Sequence, residues 1–252
     1  MSAITMQTHS AEIHAFENAP PQSRNLSKDR SSEFPEAMKL IARHAAIGLG
    51  DVVTIDGIEI ELHPAVLSPV LTKTSRFLAS TVLALDGLRG RVLEVGVGSG
   101  FVLCRVGKHE SALELYGVDI NASAVEVAKR NLVRNGLAGG IVIGDLFGGF
   151  GTDAKFDTVI FNPPLLFGKA RGPLECAIFD CDGLVIRKFL EDAKSHLEPG
   201  GQLIVLSTDR NHRHGAPSFE SLMSSHGYDH KVVATLDRGF EVYSAHIAVV
   251  RT

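Results

Sequence analysis

The sequence predicts an α/β protein with a mostly parallel sheet, and three observations indicate this fold. From Arg91 onward, β-type and helical segments alternate, as in βαβ units. The first of these strands passes into a glycine-rich turn and then a helix. The last two β-type runs, 231–236 and 242–250, follow each other without an intervening helix. We therefore expect a seven-stranded sheet with helices on both faces and an antiparallel hairpin at its C-terminal edge.

An N-terminal extension is predicted at residues 1–63, ahead of a main domain at 64–252. Residues 1–33 are polar and aperiodic, which is typical of a flexible arm. Pro35 begins a helical pattern, and the β-type runs around Asp56-Gly57 predict a hairpin. We expect this extension to act as a cover for an active site.

The periodicity of the main domain predicts its elements in order. Because the carboxyl ends of parallel strands meet at one edge of a sheet, ligand-binding motifs are expected there. The predicted helices lie at 71–85, 122–135, 183–197 and just after Pro217, and the predicted parallel strands lie at 91–95, 114–118, 141–144, 156–161 and 202–207.

Composition narrows the range of functions. The chain has 252 residues, 44% of them hydrophobic, and a net charge of −4, which disfavours a protein that depends mainly on nucleic-acid phosphates. Its three cysteines show no metal-ligand pairing and fit reduced thiols in the cytoplasm. The sequence 212–214 (His-Arg-His) has no partner at ligand spacing, so we predict no metal site. No apolar run approaches about 18 residues, so no membrane span is predicted.

The turn after the first parallel strand is the most informative segment. Gly96, Gly98 and Gly100 lie in it, and glycine permits the sharp bends and the close approach of a ligand that such turns require. Glu94 precedes the first glycine by two positions, so we expect its carboxylate to face a ligand with positive charge or donor groups. A dinucleotide site would have a small residue in place of Phe101, which disfavours NAD. S-adenosylmethionine carries an ammonium and a sulfonium and fits better, although a turn without ligand is the alternative.

Acidic residues also follow the next two strands. Asp119 lies 19 residues beyond Gly100, a spacing suited to ribose hydroxyls, and we expect Ile120 to pack on the adenine face. Asp145 is expected to accept from the adenine amino group, with Leu146 bordering the ring. Each Asp alone is equally well explained as a helix N-cap. Acids at three successive strand ends favour a ligand site.

The order of these motifs resembles that of the class I S-adenosylmethionine-dependent methyltransferases. The sequence 162–164 (Asn-Pro-Pro) narrows the resemblance to the "small domain" group, which includes release-factor glutamine and ribosomal RNA guanine-N2 methyltransferases. The resemblance implies a Rossmann-like fold, S-adenosylmethionine as cofactor and methylation of nitrogen. It covers most of residues 64–207 and is carried by the segments 92–100, 117–121, 144–147 and 156–164.

The reaction site is predicted at this Asn-Pro-Pro sequence. A weakly nucleophilic planar nitrogen must be held in line with the bond to the transferred methyl group. The side-chain carbonyl of Asn162 and the backbone carbonyl of Pro163 can accept its two N–H groups, and the prolines stiffen the loop. A rigid turn without chemistry is the alternative. The resemblance further implies that Thr74, or Thr72 as the weaker alternative, helps to hold the amino-acid end of the cofactor.

The residue after this motif departs from the family pattern. Nitrogen methyltransferases of the group usually have an aromatic residue there, and this chain has Leu165. The lost stacking is worth about 1–3 kcal/mol for a flat base. We therefore expect a small-molecule substrate, an amine such as a biosynthetic intermediate, as the first choice, with nucleic acid or protein acceptors left open.

A second hypothesis is that the protein acts on S-adenosylmethionine itself. If Asn162 held the α-amino group of that molecule, this nitrogen would attack its own γ-carbon, form azetidine-2-carboxylate and release methylthioadenosine. Transfer of the aminocarboxypropyl group to another acceptor is a related option. Leu165 would line the apolar site, and Ser207 at the end of the fifth parallel strand would add a hydrogen bond.

Overall fold

The computed structural model describes residues 34–213 and 215–251, so the arm predicted at 1–33 lies outside the described residues. The helices are α1 (Pro35–His44), α2 (Thr74–Leu83), α3 (Phe101–His109), α4 (Ala122–Arg134), α5 (Pro173–Cys176), α6 (Leu184–Ala193), α7 (Arg210–Arg213) and α8 (Phe219–Ser225). The strands are β1 (Val52–Ile55), β2 (Ile58–Glu61), β3 (Arg91–Val95), β4 (Glu114–Asp119), β5 (Gly140–Ile143), β6 (Phe156–Phe161), β7 (Leu166–Phe167), β8 (Phe179–Asp180), β9 (Leu197–Thr208), β10 (Tyr228–Asp237) and β11 (Val242–Val250).

Seven strands form the central sheet in the order β10-β11-β9-β6-β3-β4-β5. The pairs formed by β9, β6, β3, β4 and β5 are parallel, whereas β11 pairs antiparallel with both β9 and β10. The predicted fold class and its C-terminal antiparallel hairpin are therefore confirmed. Helices cover both faces because successive strand residues point to opposite sides.

The apolar core is divided by the sheet into two layers. In β9, Leu203 and Val205 belong to one buried cluster, and Ile204 and Leu206 belong to the other. The first cluster includes residues of α6 and α8, and the second includes residues of α2, α3 and α4. Strands buried on both faces are typical of parallel sheets, which explains the continuous apolar runs in the sequence.

The β1–β2 hairpin packs on the helical layer through two asparagines of the α4 region. The Asn131 side chain accepts from Glu61 N (2.7 Å) and donates to Ser99 O (2.9 Å). It therefore joins the hairpin to the turn that contains Gly96, Gly98 and Gly100, called the glycine turn below. Asn135 accepts from Glu59 N (3.1 Å) and donates to Glu59 O (2.8 Å). Each amide pairs with the strand edge as a neighbouring peptide group would.

The boundary between α6 and β9 differs from the prediction. Helix α6 ends at Ala193 and continues as a 3-10 turn at Lys194–His196, close to the predicted end at 197, whereas β9 begins at Leu197, earlier than the strand predicted at 202–207. The His196 ring is buried, hydrogen-bonds Ala154 O (2.9 Å) and stacks on Phe147, which fixes the end of the 3-10 turn directly before the strand. A register shift between β6 and β9 then accommodates residues 199–201 within the strand. Sheet pairing thus extends β9 through a segment that the sequence alone predicts as a turn.

Helix α1 lies against the segment that follows the Asn-Pro-Pro sequence. Its Ala37 shares a small buried cluster with Ile178 and Phe179. His44 is fully buried, with Nδ1 at 2.8 Å from Leu40 O and Nε2 accepting from Ser68 N at 2.9 Å. Burial lowers the pKa of His44, which favours the neutral ring that this pair of bonds requires. The N-terminal helix is therefore attached close to the predicted reaction site.

Candidate active site

Strand register brings the predicted site residues to one edge of the sheet. Val95 of β3 pairs with Val118 of β4 and with Phe161 of β6, so the glycine turn and the Asn-Pro-Pro sequence begin side by side. Phe161 in turn pairs with Val205 of β9. The carboxyl ends of four parallel strands therefore border one crevice, which is where ligands bind in such sheets.

The glycine turn uses its three glycines differently. Gly96, Gly98 and Gly100 all have positive φ angles, of 64°, 53° and 75°. A side chain at Gly100 would lie 3.2 Å from the Cβ atom of Ala128, so this glycine permits close packing between helices. At Gly98 the nearest atom is Gly96 O at 3.9 Å, so the backbone there is left open for a ligand to approach.

Glu94 lies beneath this turn and is 4% exposed. Its Oε2 accepts a hydrogen bond from Leu103 N at 3.0 Å, in the first turn of α3. Burial raises the pKa of Glu94 well above its usual value, the bond from Leu103 lowers it, and the nearby charge of Asp119 raises it further. A cationic ligand would favour the ionised form, which is otherwise costly in this environment.

Asp119 connects the turn to the end of β4. Its Oδ2 accepts from Gly98 N and its Oδ1 from Asn121 N, each at 2.9 Å. Burial raises the pKa of Asp119, and the two backbone N–H groups lower it. Each carboxylate oxygen retains a lone pair, so the side chain can still accept from two hydroxyl groups.

These two carboxylates fit the cofactor that the sequence predicts. The sulfonium and ammonium groups of S-adenosylmethionine suit buried acids, and its ribose suits the remaining acceptor sites of Asp119. The open backbone at Gly98 provides the space. Among the described residues, no cluster of His, Cys, Asp and Glu is arranged to hold a metal ion.

The residues predicted to contact adenine are arranged less simply. The Ile120 side chain is 50% exposed next to Asp119, as a stacking surface requires. The Asp145 side chain is exposed and forms an ion pair with Lys188 Nζ at 2.5 Å. Leu146 is 6% exposed, packs in the core and has a φ angle of 52°. These adenine contacts remain predictions.

Asn162 and Thr74 meet across the crevice. Asn162 Nδ2 lies 3.4 Å from Thr74 Oγ1, and Thr74 is the first residue of α2 and is buried. The hydroxyl group of Thr72 instead donates to Ser68 O at 3.2 Å, within its own loop. Of the two threonines, Thr74 is therefore the one brought to the predicted reaction site. Pro163 is buried, and Asn162 is half-buried.

The loop after the prolines lines a narrow cavity together with Ser207. Leu165 is half-buried at this cavity. The Ser207 hydroxyl group is directed to Nε2 of the fully buried His246, at 2.8 Å. Burial lowers the pKa of His246 to about 4, so this ring is neutral at physiological pH. The predicted hydrogen bond from Ser207 to a substrate would therefore compete with the existing bond between Ser207 and His246.

Several residues at the site were missed from the sequence. Asn121 donates from Nδ2 to Ala65 O at 2.8 Å and so fixes the loop before α2 beside Asp119. Asn211 contacts the backbone of the loop after the prolines, and His246 orients Ser207. Asn121 lies within the motif segment 117–121, whereas Asn211 and His246 follow no local motif, and the partners of all three are distant in the chain. Only the tertiary structure identifies them.

Comparison with known proteins identifies the architecture. A model of the methyltransferase small domain family matches residues 57–244. The ribosomal RNA small subunit methyltransferase C of Mannheimia succiniciproducens is 30% identical over 170 residues, which are 68% of this chain and 45% of that protein. A putative protein N5-glutamine methyltransferase of Methanocaldococcus jannaschii is 31% identical over 163 residues, 62% of this chain and 79% of that protein.

Solved structures share the fold at lower identity. A 16S rRNA N2 methyltransferase of T. thermophilus, in complex with AdoMet and guanosine, superposes with a TM-score of 0.61 at 23% identity, over 80% of this chain and 50% of that chain. An E. cuniculi complex that methylates a translation termination factor gives a TM-score of 0.54 at 19% identity, over 71% and 96% of the two chains. The chain spans about half the length of the ribosomal RNA relatives that it matches. No helix in the described ranges has the length and apolar character needed to cross a bilayer.

Proposed function

The chain belongs to the methyltransferase small domain family, and from this membership we propose that it transfers a methyl group from S-adenosylmethionine to the carboxamide nitrogen of a protein glutamine. The observation that carries the proposal is the meeting of Asn162 with Thr74 beside the glycine turn, the buried Glu94 and the half-buried Asp119. This arrangement joins a binding site for a cationic nucleoside to a rigid acceptor for N–H groups.

The cofactor side of the site is assigned by charge and hydrogen bonding. When bound, S-adenosylmethionine supplies an electrophilic methyl group. Asp119 would accept from the ribose hydroxyls, Glu94 would offset the positive charge, and Thr74 would hold the amino-acid end. The backbone of Gly98 leaves room for the ligand. In this assignment Ile120 covers the adenine ring and Asp145 accepts from its amino group.

The acceptor side is assigned to Asn162 and Pro163. The Asn162 side-chain carbonyl and the Pro163 backbone carbonyl would accept the two N–H groups of the amide. Both groups stand on a proline-stiffened loop at the end of a buried strand, so the nitrogen is oriented at little entropic cost. The acceptor nitrogen loses a proton to solvent after transfer, and this assignment requires no side-chain base.

Three observations favour glutamine over a guanine base. The putative glutamine methyltransferase is similar to this chain over 79% of its own length. The net charge of −4 gives no general attraction for a phosphate backbone. Leu165 offers no ring face, and a carboxamide loses less from this than the larger surface of a base does. The small-amine acceptor and the cyclisation of S-adenosylmethionine gain no support from the relatives.

The acceptor class is tested by offering three acceptors in parallel. Purified protein and methyl-labelled S-adenosylmethionine are incubated with a library of glutamine-containing peptides, with unmodified 16S ribosomal RNA, and with free glutamine. Acid hydrolysis of N5-methylglutamine releases methylamine, and nuclease digestion of RNA releases N2-methylguanosine. We expect labelled methylamine from the peptides and adenosylhomocysteine in equal amount. An incubation with the cofactor alone serves as the blank.

Each alternative has its own product in this experiment. N2-methylguanosine from the RNA would replace glutamine by guanine as the acceptor. Methylthioadenosine formed from the cofactor alone, faster than its spontaneous decay, would overturn methyl transfer altogether. The Asn162→Ala protein is the matched control, and label incorporated at the wild-type rate by this variant would place the chemistry elsewhere.

A further inference from the structure

The loop that follows the two prolines forms a short strand, β7, with two distinct edges. On one edge Leu166 N donates to Ile178 O (3.0 Å) and Gly168 N donates to Asp180 O (2.9 Å), which pairs β7 with β8. Backbone groups alternate along a strand, so Leu165 O and Phe167 N face the opposite edge. Within the described residues, no strand other than β8 pairs with β7, so that edge has no strand partner.

The side chain of Asn211 occupies this second edge. Its Nδ2 donates to Leu165 O at 2.9 Å, and its Oδ1 accepts from Phe167 N at 3.2 Å. A carboxamide has the donor and acceptor of a peptide group in the same plane, so one side chain satisfies both backbone groups as a neighbouring strand would. The loop is therefore held from both sides.

Asn211 is itself fixed at the carboxyl end of β9. Arg210 N donates to Thr208 Oγ1 (3.2 Å), and this hydroxyl donates to Oε1 of the buried Glu241 (2.7 Å). The backbone carbonyl group of Asn211 accepts a hydrogen bond from Ala216 N (3.2 Å). The residue thus stands on a short helix that is anchored in the sheet at one end and in the following turn at the other.

We propose that Asn211 is a positioning residue for the methyl acceptor, because its amide holds the backbone of the loop that carries Leu165 directly after Asn162-Pro163-Pro164. This inference rests on the proposed function. Asn211 touches neither reacting group, and it acts by keeping the Leu165 side chain and the proline carbonyls in one orientation. A displacement of about 1 Å at such a loop costs on the order of a hundredfold in rate.

Two substitutions separate the hydrogen bonds from the volume of the side chain. Asn211→Ala removes both bonds, whereas Asn211→Asp keeps the shape and the bond from Phe167 but sets a carboxylate oxygen against Leu165 O. The matched control is Asn135→Ala, which removes the same pair of backbone bonds, here to Glu59 in the hairpin, together with a bond to Asn131 O. Loss of stability alone would affect the control as well as the Asn211 variants.

Two measurements are made below the melting temperature of every variant. The first is kcat/KM for the glutamine peptide library, together with the dissociation constant of S-adenosylmethionine. The second is hydrogen–deuterium exchange of the Phe167 amide, which requires no acceptor. We expect both Asn211 variants to lose about a hundredfold in kcat/KM while cofactor affinity changes less than about twofold. Exchange at Phe167 should accelerate in Asn211→Ala only.

The outcomes distinguish this proposal from the proposed function. If the wild-type protein methylates RNA instead of peptides, the acceptor is revised and kcat/KM is measured on the RNA. If it transfers no methyl group to any of the three acceptors, positioning of an acceptor is overturned with the proposed function. Unchanged kcat/KM or unchanged Phe167 exchange in Asn211→Ala, or an equal loss of kcat/KM in Asn135→Ala, overturns the role of Asn211 alone.

Discussion

The cofactor side of the site is built from short-range contacts and the acceptor side from long-range ones. Glu94 and Leu103 are 9 residues apart, and Gly98 and Asp119 are 21 residues apart. On the acceptor side, the contact of Asn211 with Leu165 spans 46 residues, and the contact of Asn162 with Thr74, which joins the two sides, spans 88 residues. The two halves of one crevice thus differ in the sequence separation of the residues that form them.

The cofactor side of such a methyltransferase site can therefore be predicted from the sequence more readily than the acceptor side. A strand, a turn and a helix in succession specify the cofactor side, because local geometry brings their polar groups together. The acceptor side depends on groups at the carboxyl ends of β6 and β9, on α7 and in the segment after the prolines, which only the folded sheet brings together. Residues on the two sides should therefore respond independently to substitution.

Asn162→Ala should produce the largest effect and should act on the acceptor side alone. Removal of the side-chain carbonyl leaves the acceptor nitrogen with one partner, so we expect turnover to fall by about a hundredfold to a thousandfold. The dissociation constant of S-adenosylmethionine should change by less than about threefold. Steady-state kinetics and calorimetry measure the two quantities. Equal losses in both would mean that Asn162 belongs to the cofactor side.

Asp119→Ala should produce the converse pattern. It removes the acceptor for ribose hydroxyls and for Gly98 N, so the affinity for S-adenosylmethionine should fall by about 1.5–3 kcal/mol, or about tenfold to a hundredfold. Turnover at saturating cofactor should be largely retained. Asp145→Ala is the control, since this side chain is exposed and ion-paired with Lys188 and should matter less. A larger loss in the control would move the nucleoside to that end of the crevice.

Glu94→Gln should raise the stability of the folded protein and lower its affinity for S-adenosylmethionine. Burial raises the pKa of Glu94, so its stabilising contribution is present below the unfolded pKa and is lost as the pH rises through the folded pKa. At neutral pH the variant should therefore melt at a higher temperature than the wild type, since Gln still accepts from Leu103 N. Affinity for the cationic cofactor should fall by about tenfold, the value of a charge-assisted bond.

The same carboxyl group predicts a pH dependence of binding. In the wild type, affinity should weaken as the pH falls through the raised pKa of Glu94, because a proton must leave before the cation binds. In Glu94→Gln the affinity should be flatter over that range. Calorimetry in buffers of different ionisation enthalpy measures the released proton. Identical pH profiles of the two proteins would be inconsistent with this role.

Leu165→Tyr should have the smallest effect and should sharpen the acceptor assignment. A ring at this position adds a stacking face, which is worth about 1 kcal/mol and so lowers KM about fivefold for a planar acceptor. Leu49→Tyr is the control, since Leu49 is 74% exposed in the chain before the hairpin. An increase in KM for peptides, with a decrease for RNA, would show that the leucine selects against bases.

The sequence predicted the cofactor side in greater detail than the acceptor side. The positions of Gly96, Gly98 and Asp119 follow from the strand–turn–helix pattern, and the structure places them together. The parallel order of the sheet was predicted because its strands and helices alternate. The predicted start of β9 was too late, because residues 199–201 join the strand through a register shift that no local pattern encodes. Asn211 was missed for the same reason, since its partners lie 44 and 46 residues away.

Calorimetric titration of S-adenosylmethionine into the wild-type, Asp119→Ala and Asn162→Ala proteins tests the division of the site most directly. We expect saturable binding to the wild type, weaker binding to Asp119→Ala, and nearly unchanged binding to Asn162→Ala. No heat of binding to the wild type, or equal losses in the two variants, would contradict this division.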